Sequence, residues 1–135
     1  VATILAHISV RPGAELEFEA ISRDLYNESH ATEDGLLRYE YWRGSEPGTY
    51  YTLLSFRDFA SFIAHQTSDH HETASPKLGG VLTGLRLEWL DPVDGAAPLP
   101  RTEPQDLAHV ADELTRVYAE RFAARIAPWW TSVRQ

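Results

Sequence analysis

Residues 3–10 alternate between apolar and polar side chains, with Ile4, Ala6, Ile8 and Val10 on one face, which predicts a strand. Arg11-Pro12-Gly13 breaks it. Ala14, Phe18, Ile21 and Leu25 then recur at helical spacing, with Glu15, Glu17, Glu19, Arg23 and Asp24 on the other side. Acidic residues in its first turn suit a helix N-terminus. After the loop closed by Asp34-Gly35, Leu37, Tyr39 and Tyr41 alternate against Arg38, Glu40 and Trp42, a second strand. Residues 44–49, with Pro47-Gly48, read as a hairpin loop into a third strand at 50–56. A second helix starts near Asp58 with Phe59, Phe62 and Ile63 and runs on through a histidine cluster. Val81, Thr83, Leu85, Leu87 and Trp89 mark a fourth strand, stopped by Asp91-Pro92.

The order β-α-β-β-α-β predicts an α+β, ferredoxin-like domain over residues 1–91, its antiparallel sheet covered by helices on one face. The other face would carry Leu5, His7, Trp42, Tyr51 and Leu53, too apolar to stay wet. A second copy packed sheet to sheet is the natural cover, so a homodimer is expected. Residues 92–104 hold Pro92, Pro98, Pro100 and Pro104 and read as an extended linker. Residues 105–135 predict a C-terminal helix and tail: Leu107, Val110, Ala111, Leu114, Val117, Tyr118, Phe122 and Ile126 form one apolar stripe. That helix is expected to end before Pro128 and to dock by its stripe, with Trp129-Trp130 in a short tail.

Composition narrows the function. A net charge of -8 argues against nucleic acid or an anionic membrane as partner. No apolar run is long enough to span a membrane and no signal-peptide pattern opens the chain, so the cytoplasm is the expected location. Without cysteine there is no thiolate nucleophile, disulfide or zinc–thiolate site.

Chemistry concentrates at Ala64-His65-Gln66-Thr67-Ser68-Asp69-His70-His71, which holds three of the six histidines. Imidazole changes charge near neutral pH, so the cluster suggests proton transfer or metal binding. On an unbroken helix, His65 and His70 would point about 140° apart. A break near Thr67-Ser68 would let both rings turn toward the sheet. A ligand set of His65, Asp69, His70 and His7 lacks standard metal-site spacing, and no metal is expected. Tyr39, Tyr41, Phe56, Phe59 and Phe62 are expected to wall the space between sheet and helices. With imidazoles at its mouth, that space would suit a planar organic ligand.

Three stretches together resemble the antibiotic biosynthesis monooxygenase family, and within it the quinol monooxygenase branch. They are the opening Thr3-Ile4-Leu5-Ala6-His7-Ile8-Ser9-Val10-Arg11-Pro12-Gly13, the turn Glu33-Asp34-Gly35-Leu36-Leu37-Arg38-Tyr39, and Ala64-His65 through His70, which fits the pattern A-H-x-x-(T/S)-x-H. The resemblance implies a dimeric α+β barrel and cofactor-independent oxygenation of a quinol or phenolic polyketide, with dioxygen as co-substrate. It carries over His65 and His70 as catalytic residues, His65 being the base. Thr52, Phe56 and Phe62 stand where polyketide-oxidising members have Asn, Trp and Tyr. With Tyr39, Tyr41 and His71 they make up the expected substrate contacts. Haem-degrading members need an Asn and a His where this chain has Ala6 and Ser75, which disfavours haem degradation. A non-oxidative isomerase using the same histidines, and a non-catalytic dimeric binding protein, are the rival expectations.

Overall fold

A computed structural model describes residues 2–90, 113, 116, 117, 120 and 127–133. The chain divides into two compact units, Val1–Val93 and Asp94–Gln135. In the first, β1 (Ala2–Val10) leads through α1 (Glu15–Thr32) to β2 (Leu36–Arg43) and β3 (Thr49–Phe56). Two short helices, α2 (Phe59–Gln66) and α3 (Asp69–Gly79), precede β4 (Leu82–Trp89). The strands order β2-β3-β1-β4 and every pair is antiparallel, the ferredoxin-like arrangement.

Period-two patterning decides which side of the sheet is core. Ile4, Ala6 and Ile8 of β1 and Tyr50, Thr52, Leu54 and Phe56 of β3 are buried on the helical side. Leu5, His7, Trp42, Tyr51 and Leu53 share the opposite face and are half-buried. Below α1, Phe18 packs its ring 4.6 Å from that of Tyr50. The buried stripe of α1 is Phe18, Ser22, Leu25 and Ser29 rather than one that includes Ile21. Two small hydroxyl residues thus face the sheet where larger apolar ones would fill space.

Local chemistry sets the breaks. Asp58 caps α2, its Oδ1 accepting the Ser61 backbone N–H and the Ser61 hydroxyl, both at 2.7 Å. The Ser68 side chain caps α3 by accepting the His71 N–H. The helical stretch is therefore broken at Thr67-Ser68, inside the histidine cluster. Leu37 departs from the expected alternation: Leu36 pairs with Phe56 and Arg38 with Ser55, so Leu37 is the extra residue of a β-bulge and is 60% exposed. Phe59 lies in the first turn of α2, 61% exposed, and does not wall the interior.

The hairpin loop needs its glycine. Gly48 has φ of +75°, and a Cβ there would lie 2.8 Å from the Val10 carbonyl oxygen, which sits beside the bond from Val10 N–H to the Gly48 carbonyl. Gly48→Ala should therefore cost about 1–3 kcal/mol, read as a fall of several degrees in Tm, whereas Gly79→Ala, with open space around its Cβ, should not.

In the second unit, the stripe at residues 107–126 lies outside the described residues except for Val117. Arg116 bridges Glu113 and Glu120 at helical spacing, 2.6 and 3.1 Å away. Trp129 and Trp130, expected in a short tail, lie in a short helix, α4 (Pro128–Val133), which starts at a proline whose fixed φ suits the first helical position. Among the described residues, no helix is long and apolar enough to cross a membrane.

Candidate active site

Between the sheet and its helices lies a cavity of about 300 Å³, large enough for a small aromatic molecule. Its buried end is made by Ile4, Ala6, Phe18, Tyr39, Thr52 and His65. Its rim is made by exposed residues of α3 and β4, among them Ser75, Leu85 and Leu87.

The break between α2 and α3 turns the histidines inward. His65, at the end of α2, is 1% exposed and packs its ring against Tyr39 and Phe56, each at 5.2 Å between centroids. Its Nδ1 lies 2.9 and 3.0 Å from the two carboxylate oxygens of Glu33. His70 reaches the same carboxylate from α3, Nε2 to Oε1, at 2.7 Å, and Ser29 Oγ lies 3.3 Å from that nitrogen. Glu33 stands immediately after α1, in extended backbone, with its N–H donating to the Ser29 carbonyl.

One carboxylate thus holds two imidazoles. An ionised carboxylate only accepts, so each ring nitrogen facing Glu33 must donate. For His65 this places the proton on Nδ1 and the lone pair on Nε2. Burial pushes the His65 pKa below the ordinary imidazole value, and the Glu33 charge pulls it part of the way back. The ring is neutral at pH 7 and competent as a base.

Of the expected substrate contacts, Tyr39, Tyr41, Thr52, Phe62 and His71 line the cavity together with His65. Phe56 does not. It is fully buried and supports the His65 ring from behind. His70 is not a wall of the cavity either, and its contact is with Glu33. His7 lies on the other face of the sheet, its Nε2 2.8 Å from Glu88, remote in the fold from the other histidines. Asp69 is exposed, and the acid that joins His65 and His70 is Glu33. The turn motif contained Glu33, but nothing in its spacing tied it to residues 32 and 37 positions further on.

The two cavity tyrosines are hydrogen bonded hydroxyl to hydroxyl at 2.6 Å. Burial raises the pKa of both, Tyr39 well above the usual value and Tyr41 to about 12. Both phenols stay protonated and can serve only as neutral donors or acceptors. Thr52 Oγ1 and His71 Nδ1 are buried without a hydrogen-bond partner, and both residues line the cavity. Burial also depresses the His71 pKa, with the neighbouring His65 adding to the effect. An unpaired buried polar atom costs about 1–3 kcal/mol, so two in one cavity mark where the polar atoms of a ligand would be met.

The antibiotic biosynthesis monooxygenase family model matches residues 2–77. The chain belongs to that family. A solved Caulobacter crescentus protein named for the same family is 28% identical, with a TM-score of 0.65 over 69% of this chain and 90% of the other. PA3566 of Pseudomonas aeruginosa is 25% identical with a TM-score of 0.63, covering 68% of this chain and 93% of its own. Rv0793 of Mycobacterium tuberculosis shares the fold, with 22% identity and a TM-score of 0.64 over 71% of this chain and 98% of its own. No protein of curated function matches.

Proposed function

We propose that this protein is a cytoplasmic, cofactor-independent monooxygenase that oxidises a quinol or phenolic polyketide, acting as a homodimer. The observation that carries the reading is His65, fixed through Nδ1 by Glu33, in the wall of a largely apolar, aromatic-sided cavity. A phenol seated there gives its proton to His65 Nε2. The phenolate, held away from water, passes one electron to dioxygen, and the resulting radical pair combines to form a ring peroxide anion. Return of the proton from His65 gives the hydroperoxide, which loses water as the ring C–H and O–O bonds break, leaving the quinone. One oxygen atom enters the ring, the other leaves as water, and the substrate supplies all the electrons. Thr52 and His71 would meet the substrate oxygens, and the paired tyrosines would bound its ring.

Oxygen uptake by the purified protein with a panel of quinols and naphthols, with the hydroxyquinone or naphthoquinone product measured alongside, tests the reading. Consumption of substrate at the same rate without oxygen would instead establish an isomerase using the same base.

The bare sheet face supports the dimer. Exposing Leu5, Trp42, Tyr51 and Leu53 costs several kcal/mol at about 25 cal/mol per Å². Sedimentation of dilute protein should give twice the chain mass. A stable monomer would remove the sheet-to-sheet barrel.

A further inference from the structure

Glu33, His65 and His70 each offer one ligand atom, and the three atoms lie within 4.8 Å of one another. They come from three separate places: the end of α1, the end of α2 and the start of α3. We propose that they form a site for a single divalent transition-metal ion of the zinc, cobalt or nickel class, and that filling it reverses the tautomer of His65. This second half extends the proposed oxygenase, because the metal form would lack the base.

The donor set selects the ion. Two imidazoles with one carboxylate suit borderline transition metals, whereas magnesium and calcium require mostly oxygen ligands. Bonds of about 2.0–2.2 Å place tetrahedral ligand atoms roughly 3.3–3.5 Å apart. Glu33 Oε1 now lies 2.9 Å from His65 Nδ1 and 2.7 Å from His70 Nε2. The site must therefore open by roughly half an ångström, which rotation of the Glu33 side chain can supply. The fourth position is left for water. The Ser29 hydroxyl, 3.3 Å from His70 Nε2, is near enough to hydrogen bond to that water or to the carboxylate.

Without metal, His65 donates Nδ1–H to Glu33 and keeps its lone pair on Nε2. A metal on Nδ1 needs a lone pair on that nitrogen, so the ring stays neutral only with its proton moved to Nε2. His70 undergoes the opposite exchange, from Nε2–H to Nδ1–H. The nitrogen of His65 that would accept the phenolic proton becomes a donor, and the site is switched off as a base without any movement of the backbone.

The test uses the full chain after chelator treatment, titrated with cobalt chloride and read by visible d–d absorption. One cobalt per chain is expected. Binding should weaken about a hundredfold or more in Glu33→Gln and in His70→Ala, and should be unchanged in His7→Ala. Circular dichroism checks the fold of each, and either ligand variant decides if the other fails to fold. Absence of a saturable band, or a band that survives both substitutions, overturns the site. Long-range 15N–1H spectra of the zinc-loaded wild type should place the His65 proton on Nε2. A proton still on Nδ1 overturns the switch. Neither readout needs turnover, so a failure of quinol oxidation would sink the oxygenase reading and leave the metal site to these measurements. Where oxygen uptake is present, one equivalent of zinc should reduce it at least tenfold, and chelator should restore it.

Discussion

His65→Asn should lower kcat/KM for oxygen-consuming turnover about a hundredfold or more. The size follows from the role, since the amide can still donate to Glu33 yet has no nitrogen able to take a proton. His65→Ala should be equally inactive but less stable, because it removes a ring packed between Tyr39 and Phe56 and leaves Glu33 one donor short. Wild-type rates in His65→Asn would show that the imidazole only fills space. The pH profile is a second readout. Glu33, His70, His71 and the protonated Tyr39 are titratable groups facing the ring, and burial outweighs the attraction of Glu33, so the His65 pKa lies below the ordinary value. Activity should stay level from alkaline to neutral pH and fall only below about pH 6.5. Stability should fall over the same range. Below about 6.5 the unfolded chain binds protons at His65 and His71 that the folded chain refuses, and the loss grows until the folded pKa values are passed. Above that range both forms are neutral and neither ring contributes.

The strands were legible because period-two patterning is a local signal. Ile4, Ala6 and Ile8 announce their face without reference to any partner, and the sheet order follows once a split β-α-β-β-α-β unit is recognised. The second helix was legible only as one run through the histidines, with a break near Thr67-Ser68 as a condition; Ser68 caps a separate helix there. What escaped was whatever depends on pairing between distant residues. The bulge at Leu37 exists only relative to β3, because one inserted residue leaves no mark on a single strand. Phe59 reads as core by hydropathy, but its place in the first turn of α2 turns it outward. Ser22 and Ser29 lie outside the apolar positions Ala14, Phe18, Ile21 and Leu25 that marked the inner face of α1, yet both are buried. The largest omission was Glu33, one acid among twenty acidic residues in the sequence. Its distinction is a position at the end of α1, where the fold brings it beneath two histidines from elsewhere in the chain.

Glu33→Gln tests whether that carboxylate sets the chemistry or only the packing. The backbone at Glu33 ends α1 through its N–H bond to Ser29 and does not need the side-chain charge, so the variant should fold. A neutral amide has one acceptor oxygen and one donor nitrogen to offer the two imidazoles. At least one ring must then turn its lone pair toward residue 33, and His65 loses its preference for a proton on Nδ1. Glu33 does not line the cavity, so substrate affinity should change little. We expect kcat to fall by roughly a hundredfold with KM within a factor of a few, the pattern of an interaction felt mainly in the transition state. Loss of the charge also removes the main influence that raises the His65 pKa, so the acid limb of kcat/KM should move to lower pH. Glu33→Asp keeps the charge and should bring the limb back toward its wild-type position even where the shorter side chain recovers only part of the rate. A purely structural role would lower stability in both variants and leave the limb where it was. An unmoved limb with an unchanged kcat in Glu33→Gln would show that Glu33 does not govern the tautomer of His65.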